Sequence, residues 1–226
     1  MVAVTATQDW HLTFPEAHIG LLEVSGVDNA PQATGLDEEK RQVEELLRQR
    51  YAGFSRSDFL ALPVMRAYNA YYKKFDKTYH VLLQLESVVL KGKNLPNVSP
   101  LVDANFTAEL YTLVLTAGHD VTCLQKPVCI DVTRQGETFI QMGGALKELR
   151  AGDMVMRDSQ GIACTILYGQ DSRSPITLAT THALYVAYAP QGVGEANVVA
   201  QLEAILKNIR LFAPGCCVEQ LTVLRG

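Results

Sequence analysis

Helical and strand-like periodicity occupy separate stretches of this chain, and that segregation limits the fold more than any other feature. From Asp37 to about Tyr111 apolar residues recur three and four apart, as one face of a helix requires. From Val128 to Tyr188 they fall in short runs between turns. A doubly wound parallel sheet needs strands and helices in alternation, so it is excluded. The expectation is an α+β fold, with antiparallel or mixed sheets flanked by helices. The chain has 226 residues, 48% hydrophobic and 19% charged, enough for one core and too apolar for a disordered or fibrous chain. No convincing linker follows Leu36, so residues 1–226 are read as a single domain.

The elements follow from the pattern. Residues Val2 to Val27 read as strands and turns, and Asn29 to Leu36 as a loop. Asp37 to Tyr51 carries Val43, Leu46, Leu47 and Tyr51 on one stripe, with Asp37, Glu38 and Glu39 at its start, where carboxylates favour a helix. A second helix opens at Pro63, a third spans about Tyr79 to Leu90, and a fourth spans about Leu101 to Tyr111. Val128 to Thr133 and Thr138 to Met142 flank Arg134–Glu137 as a hairpin. Asp153 to Asp158 and Ile162 to Tyr168 flank Ser159–Gly161 as another. Ala183 to Tyr188 reads as a strand, Asn197 to Phe212 as an amphipathic helix, and Val218 to Leu224 as a closing strand.

Composition narrows the partners. A net charge of −4 argues against a dedicated duplex-DNA binder, while leaving room for a local basic patch. The N-terminus lacks a basic, apolar leader, and no apolar run is long enough to span a bilayer, so a cytoplasmic protein without membrane contact is expected. Five cysteines, an odd number with no Cys-x-x-Cys pair, read as free thiols, and Cys216–Cys217 as buried small residues on a strand. The five histidines show no ligand spacing, so neither a metal nor any other cofactor is expected.

The Gly-x-Ser-x-Gly nucleophile elbow, the P-loop, the His-Glu-x-x-His metal motif and the Gly-x-Gly-x-x-Gly dinucleotide signature are all missing. What remains is polar residues at element boundaries. Asp103 and Asn105 lie in the first turns of the fourth helix. Gly118-His119-Asp120 reads as a turn after an apolar segment. Gly143-Gly144 permits close approach of a backbone, and Tyr168-Gly169-Gln170-Asp171-Ser172 follows a strand. Tyr68, Tyr71, Tyr72 and Tyr79 interleave with Arg66, Lys73, Lys74 and Lys77. That mixture suits stacking on unpaired bases, although a core stripe beside a solvated rim is the simpler reading.

The order of these pieces resembles a known family. Leu95-Pro96, Ser99-Pro100-Leu101-Val102-Asp103-Ala104-Asn105, Gly136-Glu137-Thr138-Phe139, Met142-Gly143-Gly144, Gly152-Asp153 with Asp158, and Gln170-Asp171-Ser172-Arg173 with Thr177, Thr180 and Thr181 follow one another as in the B-three/B-four domain. This is the tRNA-binding and editing domain of the phenylalanyl-tRNA synthetase beta subunit, and the likeness is strongest to its free-standing members. It covers roughly residues 68–189; residues 1–60 do not map onto the family. The resemblance implies a pocket for the 3′ end of a mischarged aminoacyl-tRNA and hydrolysis of its ester without metal or cofactor. Carried over by position, substrate contacts would fall to Asp103, Asn105, Gly118, His119, Gly143, Tyr168, Gly169, Gln170 and Ser172. Catalytic candidates are Asn105, His119 and Asp171, and RNA contacts would come from Arg66, Lys73, Lys74, Lys91 and Lys93. The family's pocket histidine falls at Thr116 or Ala117, so His119 is out of register. The aminoacylation domain is absent, so charging of tRNA is not expected. Two alternatives stay open: a non-catalytic RNA-binding module, and a small-molecule binder or hydrolase that reuses the fold.

Overall fold

The computed structural model describes residues 1–30 and 33–226. In chain order the elements are β1 (Val4–Ala6), α1 (Gln8–Thr13), β2 (His18–Ser25), α2 (Thr34–Arg50), α3 (Arg56–Ala61), α4 (Pro63–Lys73), α5 (His80–Val89), α6 (Pro100–Thr112) and β3 (Thr116–Asp120). There follow β4 (Val128–Val132), β5 (Thr138–Ile140), β6 (Leu146–Glu148), β7 (Met154–Asp158), β8 (Gly161–Thr165), β9 (Gly169–Gln170), β10 (Ala183–Ala189), α7 (Glu195–Arg210) and β11 (Cys217–Arg225). The strands form one sheet in the order β1-β4-β7-β8-β9, a second in the order β11-β2-β10-β3, and the separate pair β5-β6. Only β1 with β4 runs parallel among these described pairings; the rest are antiparallel. The α+β expectation, with mixed sheets and flanking helices, is met.

The second sheet is the centre of the core. Every residue of β10 is buried, because β2 and β3 cover its edges and helices cover a face. Gly20 of β2 shows how closely α7 lies: a Cβ there would stand 2.4 Å from Val198 Cγ1. The tyrosine-rich stretch resolves in favour of the core reading. Tyr68, Tyr71, Tyr72 and Tyr79 are buried, and Tyr68 stacks on Tyr79 with ring centres 4.2 Å apart. Their hydroxyls donate to Tyr188 O, Asp153 Oδ1, Ile166 O and Leu113 O, so none of these rings is free to stack on a base.

Several expectations are corrected. The segment from Val2 to Val27 also contains α1, capped by Thr7 Oγ1, which accepts the Trp10 N–H. Six residues are too few to show a period, and burial of Trp10 rather than a stripe holds this helix. The strands around Arg134–Glu137 do not form a hairpin. β4 lies between β1 and β7, while β5 pairs with β6. Gly118-His119-Asp120 lies in β3, paired with β10, rather than in a turn. Cys217 is exposed and Cys216 half-buried; Cys164 is the thiol that is buried. The expected loop at Asn29–Leu36 yields to α2 at Thr34, and its residues 31 and 32 lie outside the described residues.

Candidate functional site

The turn that ends α6 builds one side of the site. Leu113 adopts a left-handed conformation, with φ 66°, and its N–H donates to Glu109 O, which swings the chain back into β3. α6 and β3 then lie side by side, facing β8 and β9 across a cavity of about 460 Å³. Asn105, Glu109, Thr116, Gly118, Cys164, Thr165, Gly169 and Gln170 contribute to its wall, with His80 and Gln84 entering from α5. Much of the rest is apolar, from Val102, Phe106, Leu115, Ile166 and Ile176 to the faces of Tyr185 and Tyr188. An apolar hollow with a few converging polar groups is the usual form of a small-ligand site.

Two segments far apart in sequence therefore meet: Asn105 and Gly169–Gln170 share this wall. Asn105 donates to Thr116 O at 2.9 Å and accepts from Gln201. Gln170 donates to Ser174 O at 2.6 Å, and its Nε2 is 3.2 Å from His119 Nδ1. His119 is wholly buried behind Gln170. Its Nδ1 is 2.8 Å from Ser174 Oγ, its Nε2 has no partner, and burial holds its pKa down to about 3.

The other residues named from sequence stand apart from the cavity wall. Asp103 points to the opposite side of α6, where its carboxylate meets Lys40 Nζ at 2.8 Å and the Val98 N–H at 3.0 Å. Asp171 is buried in a structural knot, accepting from Ser174 Oγ at 2.8 Å and lying 2.7 Å from Arg173 Nε. Ser172 and Gly143 are exposed, and Met142 rather than Gly143 reaches the wall. Tyr168 stands beside Gly169 with Lys77 Nζ and Lys147 Nζ 5.1 and 4.9 Å from its ring centre. Arg66, Lys73, Lys74, Lys91 and Lys93 are all exposed and have no carboxylate partner among the described residues.

The wall residues that sequence reasoning missed include His80, Gln84 and Glu109. Tyr72 spends its single O–H on Ile166 O at 2.6 Å. At its 3.3 Å contact with His80 Nδ1 the imidazole must therefore be the donor, which leaves the Nε2 lone pair free. Burial lowers the His80 pKa, so the ring is neutral at neutral pH. Glu109 is buried without a cation, and desolvation raises its pKa to about 8. Cys164 is no nucleophile: burial pushes its thiol up to about 12. Among the described residues no group of three or more His, Cys, Asp or Glu is placed to hold a metal ion, and no helix is long and apolar enough to cross a membrane.

The fold and the cavity together define a layered α+β domain with a hollow between a buried helix and short antiparallel strands. The chain superposes on the crystal structure of an N-terminal fragment of the phenylalanyl-tRNA synthetase beta-subunit from Pyrococcus horikoshii. The TM-score is 0.51 at 9% identity, over 100% of this chain and 55% of that one, so the chain spans little more than half of that neighbour and the likeness is one of fold. The B3/4 domain model matches residues 64–199, and the chain belongs to the B3/4 domain family. No curated protein matches it in sequence.

Proposed function

We propose that this B3/4 domain admits the aminoacyl end of a tRNA into the cavity between α6, β3 and β9 and hydrolyses the ester in trans. The observation that carries the reading is the meeting of Asn105 and Gln170 on one largely apolar wall beside the neutral imidazole of His80. The apolar wall takes the amino-acid side chain. His80 Nε2 holds a water and accepts its proton as the oxygen attacks the ester carbonyl. Asn105 has a second amide N–H for the developing oxyanion. The carbonyl–ribose bond then breaks and the ribose oxygen takes the proton, leaving an amino acid and tRNA with a free hydroxyl. Lys77 and Lys147, beside the cavity wall at Tyr168, and the exposed cations of α4 and after α5 suit the phosphates outside.

The test is deacylation of a panel of correctly and wrongly charged tRNAs by the full chain. At least one ester should disappear faster than in buffer. His80→Gln should slow it by about 10²–10³-fold while salt-sensitive tRNA binding persists. If every ester survives, the deacylase reading fails. Retained, salt-sensitive tRNA binding would then leave a non-catalytic module, and binding indifferent to salt a small-molecule site.

A further inference from the structure

Among the described residues the cavity wall carries one carboxyl group, Glu109, and no lysine or arginine. Glu109 is 2% exposed, and one of its oxygens accepts the Thr116 backbone N–H at 2.9 Å. Its second oxygen has no hydrogen-bond partner among the described residues, and no cation pairs with the group. One further acceptor on the same wall is unpartnered, Gln84 Oε1. Buried acceptors left open beside an uncompensated carboxyl are costly unless something with N–H donors occupies the space.

We infer that the cavity recognises the free α-ammonium group of an aminoacyl ester and that Glu109 is the residue that receives it. This deepens the proposed function and rests on its reading of the cavity as an aminoacyl-ester site. The ammonium supplies the missing countercharge, and the apolar wall from Val102, Phe106, Leu115, Ile166 and Ile176 covers the side chain. Two discriminations follow. An N-acylated residue has lost the charge that Glu109 needs. A free amino acid brings a carboxylate into a hollow with no cation to meet it, whereas an ester masks that carboxylate.

The titratable groups around Glu109 do not compete for this role. Tyr68 and Tyr72 of α4 and Tyr79 before α5 face it through the core, and burial raises all three above the ordinary phenol value. His80, Cys164, Tyr185 and Tyr188 on the cavity wall are likewise held neutral. With Glu109 protonated up to about 8, capture of an ammonium group at pH 6 must expel the carboxyl proton.

Calorimetry on the full chain at pH 6 tests this with the methyl esters of phenylalanine and leucine, their N-acetyl derivatives, and the free amino acids. An ester should bind at least tenfold more tightly than its acetylated or free counterpart. Comparing two buffers of different ionisation enthalpy should show release of about one proton. Glu109→Gln keeps an acceptor for the Thr116 N–H. It should weaken ester binding at least tenfold and leave the acetylated ester unchanged. Equal affinity for free and acetylated amines, absence of proton release, or no binding of any ester overturns the inference, and each is read on the unaltered protein. The deacylation panel decides separately: ammonium-selective binding without hydrolysis would remove the deacylase reading and keep this one.

Discussion

Lys40 is buried on α2, and its ammonium meets Asp103 Oδ2 and Pro96 O, each at 2.8 Å, together with the Asn97 side chain. This cluster ties α2 to the first turn of α6 and so fixes the angle at which Asn105 and Glu109 reach the cavity. Removing one partner of a buried pair leaves the other charge without compensation in a poorly solvated site. Lys40→Met should therefore cost about 3–5 kcal/mol of unfolding free energy by urea titration. A cost under about 1 kcal/mol would mean that the pair is dispensable. Asp103 thus acts on the site through the backbone that it anchors, although its neighbourhood in the sequence suggests ligand contact. Polar letters at a helix start look the same in sequence whether the side chain faces a ligand or a buried lysine 63 residues away.

At the scale of elements, the β5–β6 pair stands out as a sheet of its own, and two strands alone are marginally stable. Phe139 and Leu149 pin it onto Val155 and Ile162, and Met142 N donates to Gln170 O across to the cavity wall. Phe139→Ala should remove about 3–5 kcal/mol of packing locally. Hydrogen exchange should then quicken at β5, β6 and Gln170 while β10 stays protected; uniform acceleration would show that the pair is part of the global unfolding unit. This pair also marks where sequence reading ran out. α4, α5 and α7 were legible because stripes such as Val198, Leu202, Ile205 and Ile209 repeat at helical spacing and are buried. The turn at Arg134–Glu137 is real, with Glu137 N donating to Arg134 O, but the partners of β4 are Val4–Ala6 and Met154–Asp158, chosen by distant sequence. Asn105, Gly118, Gly169 and Gln170 were reachable through the order of family motifs. Glu109 was hidden because α6 is buried almost all round, leaving no polar face for contrast. A charged residue among Ala108, Leu110 and Leu101 was the available signal.

For the molecule as a whole, buried acids set the response to pH. Desolvation raises Glu109 to about 8 and Asp153 to about 7, the latter despite bonds from Tyr71 Oη and Leu167 N. An acid with a raised folded pKa holds its proton more firmly folded than unfolded, so stability falls as pH rises from about 4 towards that folded value. His119 and His80 shift the other way: they are neutral when folded and protonated when unfolded below about 6.5, so their effect lies mostly under that pH. Asp131 and Asp158 are lowered, and their contribution is lost only in acid. Between pH 6.5 and 8 the two raised acids should remove on the order of 2 kcal/mol, lowering Tm by roughly 4–8 °C by scanning calorimetry. Glu109→Gln should flatten that slope, and a Tm constant across the window would contradict the burial of both groups. The cationless wall around Glu109 also bears on turnover. In the proposed hydrolysis the neutral ester group becomes a carboxylate, and a hollow that offers this newborn negative charge amide N–H groups but no cation, beside another acid, would release it, emptying itself for the next encounter.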